Sequence, residues 1–237
     1  MLNYFKQLSE SFIKKIAMRL YRITEEGKYA QIIFSQEGED ITLKRLFLNQ
    51  KNGFYVDVGA HHPFRFSNTF FLYKSGWRGI NIDANPLSIQ LFEKYRSDDI
   101  NLNIGVSNID ENLTYHVYNE PALNTFSKDI VNKLKDNPQY HIIDKKEIMV
   151  KPLSTLLHTY LSMFTKIDLL NIDVEGFDLN VLKSNDWLYF RPSVIVIESQ
   201  NVEIDNIKDC PIYKFLSMKN YKIISKISNS CIYIEKC

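Results

Sequence analysis

The stretch "NGFYVDVGAHHPFRFSNT", residues 52–69, decides the fold. Residues 53–58 form an apolar run, short enough for a buried strand, with one acid in it, Asp57. Gly59 follows at once, a residue that lets the chain turn tightly and approach a ligand closely. His61 and His62 stand just past the turn. In open α/β sheets, ligands bind beyond the carboxyl ends of the strands. A strand that delivers an acid, a glycine and two imidazoles to that end therefore marks a candidate site.

Working outward, strand and helix patterns alternate. Upstream, Ser35 can cap a helix whose buried face would be Ile41, Leu43, Leu46 and Phe47. Downstream, Ser67 can cap a helix over residues 68–75 that Gly76 ends. A second strand is predicted over 79–84. A helix then opens at Asn85–Pro86, with proline at its tolerated first position. Residues 100–107 give a third short strand and 113–118 a further extended piece. Residues 119–150 are polar and are expected to be an insertion or loop with some helix near 127–136. A helix over 150–161, strands at 166–174 and 192–199, and a helix at 178–184 complete the alternation. Residues 221–236 read as a hairpin turning at Asn229–Ser230. The predicted fold is therefore α/β: a mainly parallel sheet, helices on both faces, and a C-terminal antiparallel hairpin.

The chain has 237 residues, 45% hydrophobic and 13% aromatic, enough for one sizeable core. With 29 basic and 28 acidic residues, the formal charge is +1. That balance gives no electrostatic reason to expect nucleic acid as a partner. Cys210, Cys231 and Cys237 match no zinc spacing and are expected to be reduced thiols of a cytoplasmic protein. No run of about 18 apolar residues is present. In residues 1–30, Phe5, Leu8, Phe12, Ile16 and Leu20 recur at helical spacing among basic residues. An amphipathic helical segment is expected there, packed on the body, on a second copy of the chain, or on a membrane surface. Residues 31–237 are expected to form a single domain.

The second strand ends in Asp83, 26 residues after Asp57. Roughly 20 residues separate a glycine turn from the acid that holds a ribose in dinucleotide folds. A dinucleotide, however, needs GxGxxG to bring a helix N-terminus onto its pyrophosphate. The turn here has one glycine, followed by bulky residues. That disfavours NAD and favours S-adenosylmethionine, an adenosine cofactor without a phosphate.

A wider pattern supports the same cofactor. "SQEGED" (35–40), "FYVDVGAHHPFRFSNT" (54–69), "GWRGINIDANP" (76–86), "ALNTFS" (122–127) and "IDLLNIDVEGFDLNVLKSNDW" (167–187) resemble the FkbM family of S-adenosylmethionine-dependent methyltransferases. The resemblance runs over roughly residues 34–200. It implies a class I methyltransferase (Rossmann-like) fold and O-methylation, often of sugars in natural products or bacterial surface glycans. It does not fix the acceptor.

By this resemblance, Asp57, Gly59 and Asp83 are cofactor-binding residues, and Gln36, with Glu37, closes over the cofactor's amino-acid end. Ser67 and Asn68 start a helix beyond the turn and suit a carboxylate. Ser107 or Asn108 is expected by the adenine. Asp173 and Glu175 follow a buried strand and are expected in the active site, because two acids there need a partner, solvent or a metal. A sugar hydroxyl is a weak nucleophile and needs a base or a metal. His61 or His62 could be that base, with a preference for His62; either could instead ligate a metal with carboxylates or simply bond the backbone. A divalent metal is thus an alternative, and no metal ligand is assigned. Asn124 and Thr125 are expected in the acceptor wall, with Arg65 placed to meet the phosphates of a nucleotide-linked sugar. His116, His141 and His158 are expected at the surface.

The leading expectation is a cytoplasmic O-methyltransferase acting on a sugar or nucleotide-sugar hydroxyl in bacterial capsule or surface-glycan synthesis. The Lys-, Asn- and Ile-rich composition, which suggests an AT-rich bacterial genome, adds to that context. The alternatives are a phosphate-like oxygen or a secondary metabolite as acceptor, or a non-catalytic scaffold of a glycan-synthesis complex.

Overall fold

A computed structural model of the chain describes residues 16–17, 19, 21–200 and 202–236. The chain divides into two compact units, Met1–Ile33 and Phe34–Cys237. Most of the predicted amphipathic segment, including Phe5, Leu8, Phe12 and Leu20, lies outside the described residues, as does Cys237. Among the described residues, no helix is long and apolar enough to cross a membrane.

The second unit opens with α1 (Glu39–Leu46) and β1 (Phe54–Val58). Then come α2 (Phe70–Lys74), β2 (Arg78–Asp83), α3 (Pro86–Tyr95), β3 (Ile100–Asn103), β4 (Gly105–Val106) and β5 (Glu111–Tyr118). The chain continues through α4 (Lys128–Leu134), β6 (Ile142–Lys151), α5 (Leu153–Tyr160), β7 (Leu169–Ile172), α6 (Asp178–Ser184) and β8 (Val194–Glu198). It closes with α7 (Pro211–Met218), β9 (Tyr221–Ile227) and β10 (Ser230–Glu235). Seven strands form one sheet in the order β3-β2-β1-β7-β8-β10-β9. Its first five strands are parallel, and β10 runs antiparallel to both β8 and β9.

Alternation along the strands sorts the two faces. Val56, Val58, Ile80, Ile82, Leu170, Ile172, Ile195 and Ile197 point to one face, where α5, α6 and α7 cover them with Leu153, Leu157, Val181, Leu182 and Leu216. Tyr55, Leu169, Val194 and Val196 point to the other, covered by Leu43, Phe47, Phe71 and Leu72 of α1, α2 and their flanks. This second face also carries polar side chains, Asp57 and Asn171, two residues on from Tyr55 and Leu169 and in phase with them. One face is thus a dry core and the other leads a polar path toward the strand ends.

Several expectations need correction. Leu46 is 39% exposed and does not join the helix's buried face. His116 is buried on β5 rather than at the surface. The polar stretch 119–150 contains α4 and, unforeseen, the long strand β6. That strand pairs with β5 antiparallel and with β4 parallel in a separate three-stranded sheet. The helix α7 was also not foreseen.

Candidate active site

The carboxyl ends of β1, β2 and β7, with the segment after β5, line a cleft. Asp57, Gly59, Asp83, Asp173 and Glu175 all line it, as do Gln36, His61, Ser67, Asn68 and Asn124.

Gly59 has φ +76°, in the left-handed region that side chains disfavour. Its N–H and that of Ala60 both donate to the Ile82 carbonyl, at 2.9 and 3.1 Å. These bonds bring the first turn against the end of β2. There the Asp83 carboxylate accepts from the backbone N–H of His61 at 2.7 Å and of Asn85 at 2.7 Å, one per oxygen. Each oxygen keeps a further lone-pair direction for a ligand. Burial pushes the Asp83 carboxyl up to about 6, against the pull of those two N–H groups.

Asp57 is buried and fully engaged: Thr69 Oγ1 donates to one oxygen at 2.6 Å and Asn171 Nδ2 to the other at 2.8 Å. Burial raises its pKa, and the nearby Arg96 guanidinium opposes this. Arg96 is itself fully buried. It bonds Asp99 Oδ2 at 3.0 Å, Thr69 Oγ1 at 3.0 Å and the Tyr55 hydroxyl at 2.7 Å. A buried ion pair thus stands beneath the cleft floor. The pair itself is local, Arg96 and Asp99 being three residues apart, but the partners that bury it, Tyr55 on β1 and Thr69 before α2, are remote in sequence.

Ser67 Oγ accepts from the Phe70 N–H at 3.1 Å, as a cap for α2. Asn68 Nδ2 donates to Asn171 Oδ1 at 2.9 Å, and Asn68 Oδ1 is buried without a partner.

The two histidines diverge. His61 lines the cleft with φ +55°, and its Nε2 is buried without a partner. Burial, then the Arg65 charge, lowers its pKa to about 4, so the imidazole is neutral at pH 7. His62 does not line the cleft. Its Nδ1 accepts from the N–H groups of Phe64 and Arg65 at 3.0 and 3.1 Å, pinning the loop. The geometry favours His61, against the sequence preference for His62.

Three more expected residues stand behind the wall rather than in it. Ser107 is buried beside Asn108, and Ile104, Gly105 and Val106 line the cleft in its place. Thr125 Oγ1 donates to the Glu175 carbonyl at 2.7 Å and accepts from the Ser127 N–H, tying the β5 segment to the β7 turn. Its neighbours Asn124 and Phe126 face the cleft. Arg65 forms a two-pronged pair with Glu120, at 3.0 and 3.2 Å, across the rim.

After β7, Asp178 accepts from the N–H groups of Val174 and Gly176 at 3.2 and 3.1 Å, shaping the turn that carries Asp173 and Glu175. Glu175 sits at φ +49°. Ligand oxygens of Asp173, Glu175 and Glu198 lie within 4.8 Å of one another. Gln200 Nε2 bridges Glu175 at 3.1 Å and Glu198 at 3.0 Å. Asp173 is open to the cleft, yet burial of its surroundings, then repulsion from Glu198 and Asp178, raises its pKa. Burial and mutual repulsion also raise Glu175 and Glu198. Glu198 was missed from the sequence. Its signal was the same as for Asp173, an acid at the carboxyl end of a buried strand.

With this geometry in place, comparison decides the family. A family profile described as the methyltransferase FkbM domain matches residues 57–229, well over half of the chain. The chain belongs to the FkbM methyltransferase family. No curated protein matches it. Among solved structures, it is similar to a TehB-like SAM-dependent methyltransferase from Corynebacterium glutamicum, at 10% identity and TM-score 0.41, covering 96% of this chain and 100% of that one. It is also similar to a precorrin-6y C5,15-methyltransferase from Geobacter metallireducens, at 15% identity and TM-score 0.41, covering 87% and 92%. The fold of this FkbM methyltransferase is the class I, Rossmann-like one, and its cofactor is S-adenosylmethionine.

The residues present fit that cofactor. Asp83 offers carboxylate lone pairs for ribose hydroxyls. Ile82, Ala84, Ile104 and Val106 offer an apolar wall for an adenine ring, and Asn68, Gln36 and the acids offer polar partners for an amino-acid end. When bound, S-adenosylmethionine supplies an electrophilic methyl group. The cleft's lining residues would hold and orient it there.

Proposed function

We propose that this FkbM methyltransferase O-methylates a sugar hydroxyl, in bacterial capsule or surface-glycan synthesis in the cytoplasm. The observation that carries the reading is the shared cleft. His61, Asn124, Asp173 and Glu175 face the same space as Asp83. An acid suited to ribose hydroxyls therefore shares one cleft with an uncharged base, two carboxylate acceptors and the Asn124 amide, whose Oδ1 is taken by the Tyr118 N–H and whose Nδ2 is left as a donor. A polyol offers donors to such acceptors, and its hydroxyl needs a base to become nucleophilic.

In this reading, His61 takes the acceptor's proton. Asn124, Asp173 and Glu175 orient neighbouring hydroxyls so that the attacking oxygen lines up with the methyl carbon. Among the described residues, the cleft lining includes no Lys or Arg. A nucleotide-linked sugar would therefore keep its phosphates at the rim, near Arg65, with only the sugar inside.

The test is transfer of labelled methyl groups from S-adenosylmethionine to a panel of free and nucleotide-linked sugars, with product mass and hydrolysis to methyl sugars. Methyl ethers formed at one hydroxyl would support the reading. Turnover only on phosphate-like oxygens or amines, or none on any sugar, would overturn it.

A further inference from the structure

We propose that Asp173, Glu175 and Glu198 hold a hard divalent cation where the cleft meets a smaller side pocket, with Asn68, which lines both, as a neutral oxygen donor.

The first observation is geometric. The three carboxylates stand at the carboxyl ends of two neighbouring strands, two on the turn after β7 and one at the end of β8, and can each offer an oxygen within 4.8 Å of the others. Two oxygens on opposite sides of Ca²⁺ are about 4.6–5.2 Å apart, and around Mg²⁺ about 4.0–4.2 Å, from their bond lengths. A spread of up to 4.8 Å lies within a Ca²⁺ coordination sphere and beyond a Mg²⁺ one, so the smaller ion requires the carboxylates to draw closer. All-oxygen sets of this kind suit Mg²⁺, Mn²⁺ or Ca²⁺ rather than softer metals. Like charges this close inside a cleft repel strongly unless a proton or a cation joins them.

The second observation is independent of the cluster. Beside the main cleft lies a small polar side pocket walled by Glu37, Glu39, Asn68, Asp173 and Glu198 among others, with no Lys or Arg among the described residues lining it. Asn68 is more than nine-tenths buried, and its Oδ1 has no partner. A chain of bonds fixes that orientation. Arg96 can only donate, and it donates to Thr69 Oγ1, which leaves the Thr69 proton for Asp57. The Asp57 carboxylate, favoured by the Arg96 charge, accepts from Asn171 Nδ2, so Asn171 Oδ1 must accept in turn from Asn68 Nδ2. The other end of the Asn68 amide, an acceptor, is left over at a wall shared with Asp173 and Glu198. A buried acceptor without a donor is costly, and a cation satisfies it.

The remaining contacts are compatible with a metal. Gln200 steadies Glu175 and Glu198 through Nε2 and receives Lys133 Nζ on its Oε1 at 3.3 Å. Outer partners of this kind orient ligating carboxylates. Lys133 offsets part of the charge from the exposed side without entering either pocket lining.

The proposal does not rest on the acceptor's identity, and its test uses no acceptor. The cofactor-free protein, stripped with a chelator, is titrated with Mn²⁺, Mg²⁺ and Ca²⁺ by calorimetry. Loss of the free Mn²⁺ electron-paramagnetic signal is followed in parallel. One saturable site in the wild type, weakened about tenfold or more in Glu198→Gln, is expected. S-adenosylhomocysteine binding by the same variant reports an intact cleft, because Glu198 does not line it. Glu175→Gln, expected to weaken the site likewise, serves if Glu198→Gln does not fold. Absence of saturable binding by the wild type, or equal affinity in a folded variant, would overturn the proposal and leave the acids to the cofactor's ammonium or the acceptor.

Discussion

The backbone carbonyl oxygen of Asp173 lies 1.8 Å from where a Cβ on residue 59 would stand. Two strand ends, β1 and β7, thus meet backbone to backbone at the centre of the cleft, and only glycine lets them do so. Gly59→Ala must move one of them. The left-handed φ alone costs about 1–3 kcal/mol, and the clash adds to it. The expected outcome is a clear loss of thermal stability and of S-adenosylhomocysteine affinity together. A variant with wild-type affinity would show that the two strand ends can part without loss of the cofactor site.

Asp83→Asn should keep the fold and weaken the cofactor. Both oxygens accept backbone N–H groups, so an amide would set its own NH₂ against one of them. Hydrogen bonds to a charged group contribute about 1.5–3 kcal/mol, which corresponds to about tenfold to a hundredfold in affinity. Calorimetry with S-adenosylhomocysteine measures this directly.

The same carboxyl fixes a pH dependence. Its pKa in the folded protein is about 6, raised by burial from 3.8. Ribose hydroxyls donate to the ionised form, so cofactor affinity should be level above about pH 6 and fall by up to about tenfold per unit below it. In the cofactor-free protein the sign is opposite. A raised carboxyl favours the folded state fully below about 3.8, and this contribution is lost as the pH rises through about 6. Affinity and stability measured over pH 4.5–7.5 should therefore move in opposite directions on account of this group, and Asp83→Asn should remove both slopes.

The strand ends were legible because a buried strand in a parallel sheet carries an apolar run, and an acid at its end stands out against it. Asp57, Asp83, Asp173 and Glu175 were found this way, and all four line one cleft. The strand β6 was not legible. Its residues 143–147 are exposed and mostly charged, so neither alternation nor an apolar run marks them. The burial of Arg96 was not legible: Asp99 is three residues away, as in any exposed pair, and the partners that mark it as buried, Tyr55 and Thr69, are 41 and 27 residues away. The preference for His62 as the base meets a geometry in which His61, not His62, lines the cleft. Which of two adjacent imidazoles faces a cleft depends on a single backbone angle, here the positive φ of His61.

Arg96→Met should be among the most destabilising substitutions in the chain. It leaves Asp99 buried without its ion partner and removes the charge that favours ionised Asp57. Breaking a buried pair by removing one member costs about 3–5 kcal/mol. Denaturant unfolding measures it, and a loss below about 1 kcal/mol would mean the pair behaves as an exposed one. The rim pair Arg65–Glu120 supplies that contrast, since both side chains are about a third or more exposed. Arg65→Ala should change stability by no more than about 1 kcal/mol.

The two histidines can be separated by what each loses. His61 touches the cleft and leaves a ring nitrogen unpartnered, while His62 spends its Nδ1 on two backbone N–H groups. If His61 is the base, His61→Ala should lower kcat by about 10²–10⁴ with S-adenosylhomocysteine affinity kept. A more basic acceptor oxyanion, generated at high pH, should recover part of the rate. His62→Ala should instead cost about 1 kcal/mol of stability and loosen the loop that carries His61, so that activity falls modestly and without a change in the pH profile. The reverse result, with activity lost in His62→Ala and kept in His61→Ala, would transfer the base to His62 and require the loop to turn over on binding. An equal, small loss in both would assign the proton to the carboxylates after β7.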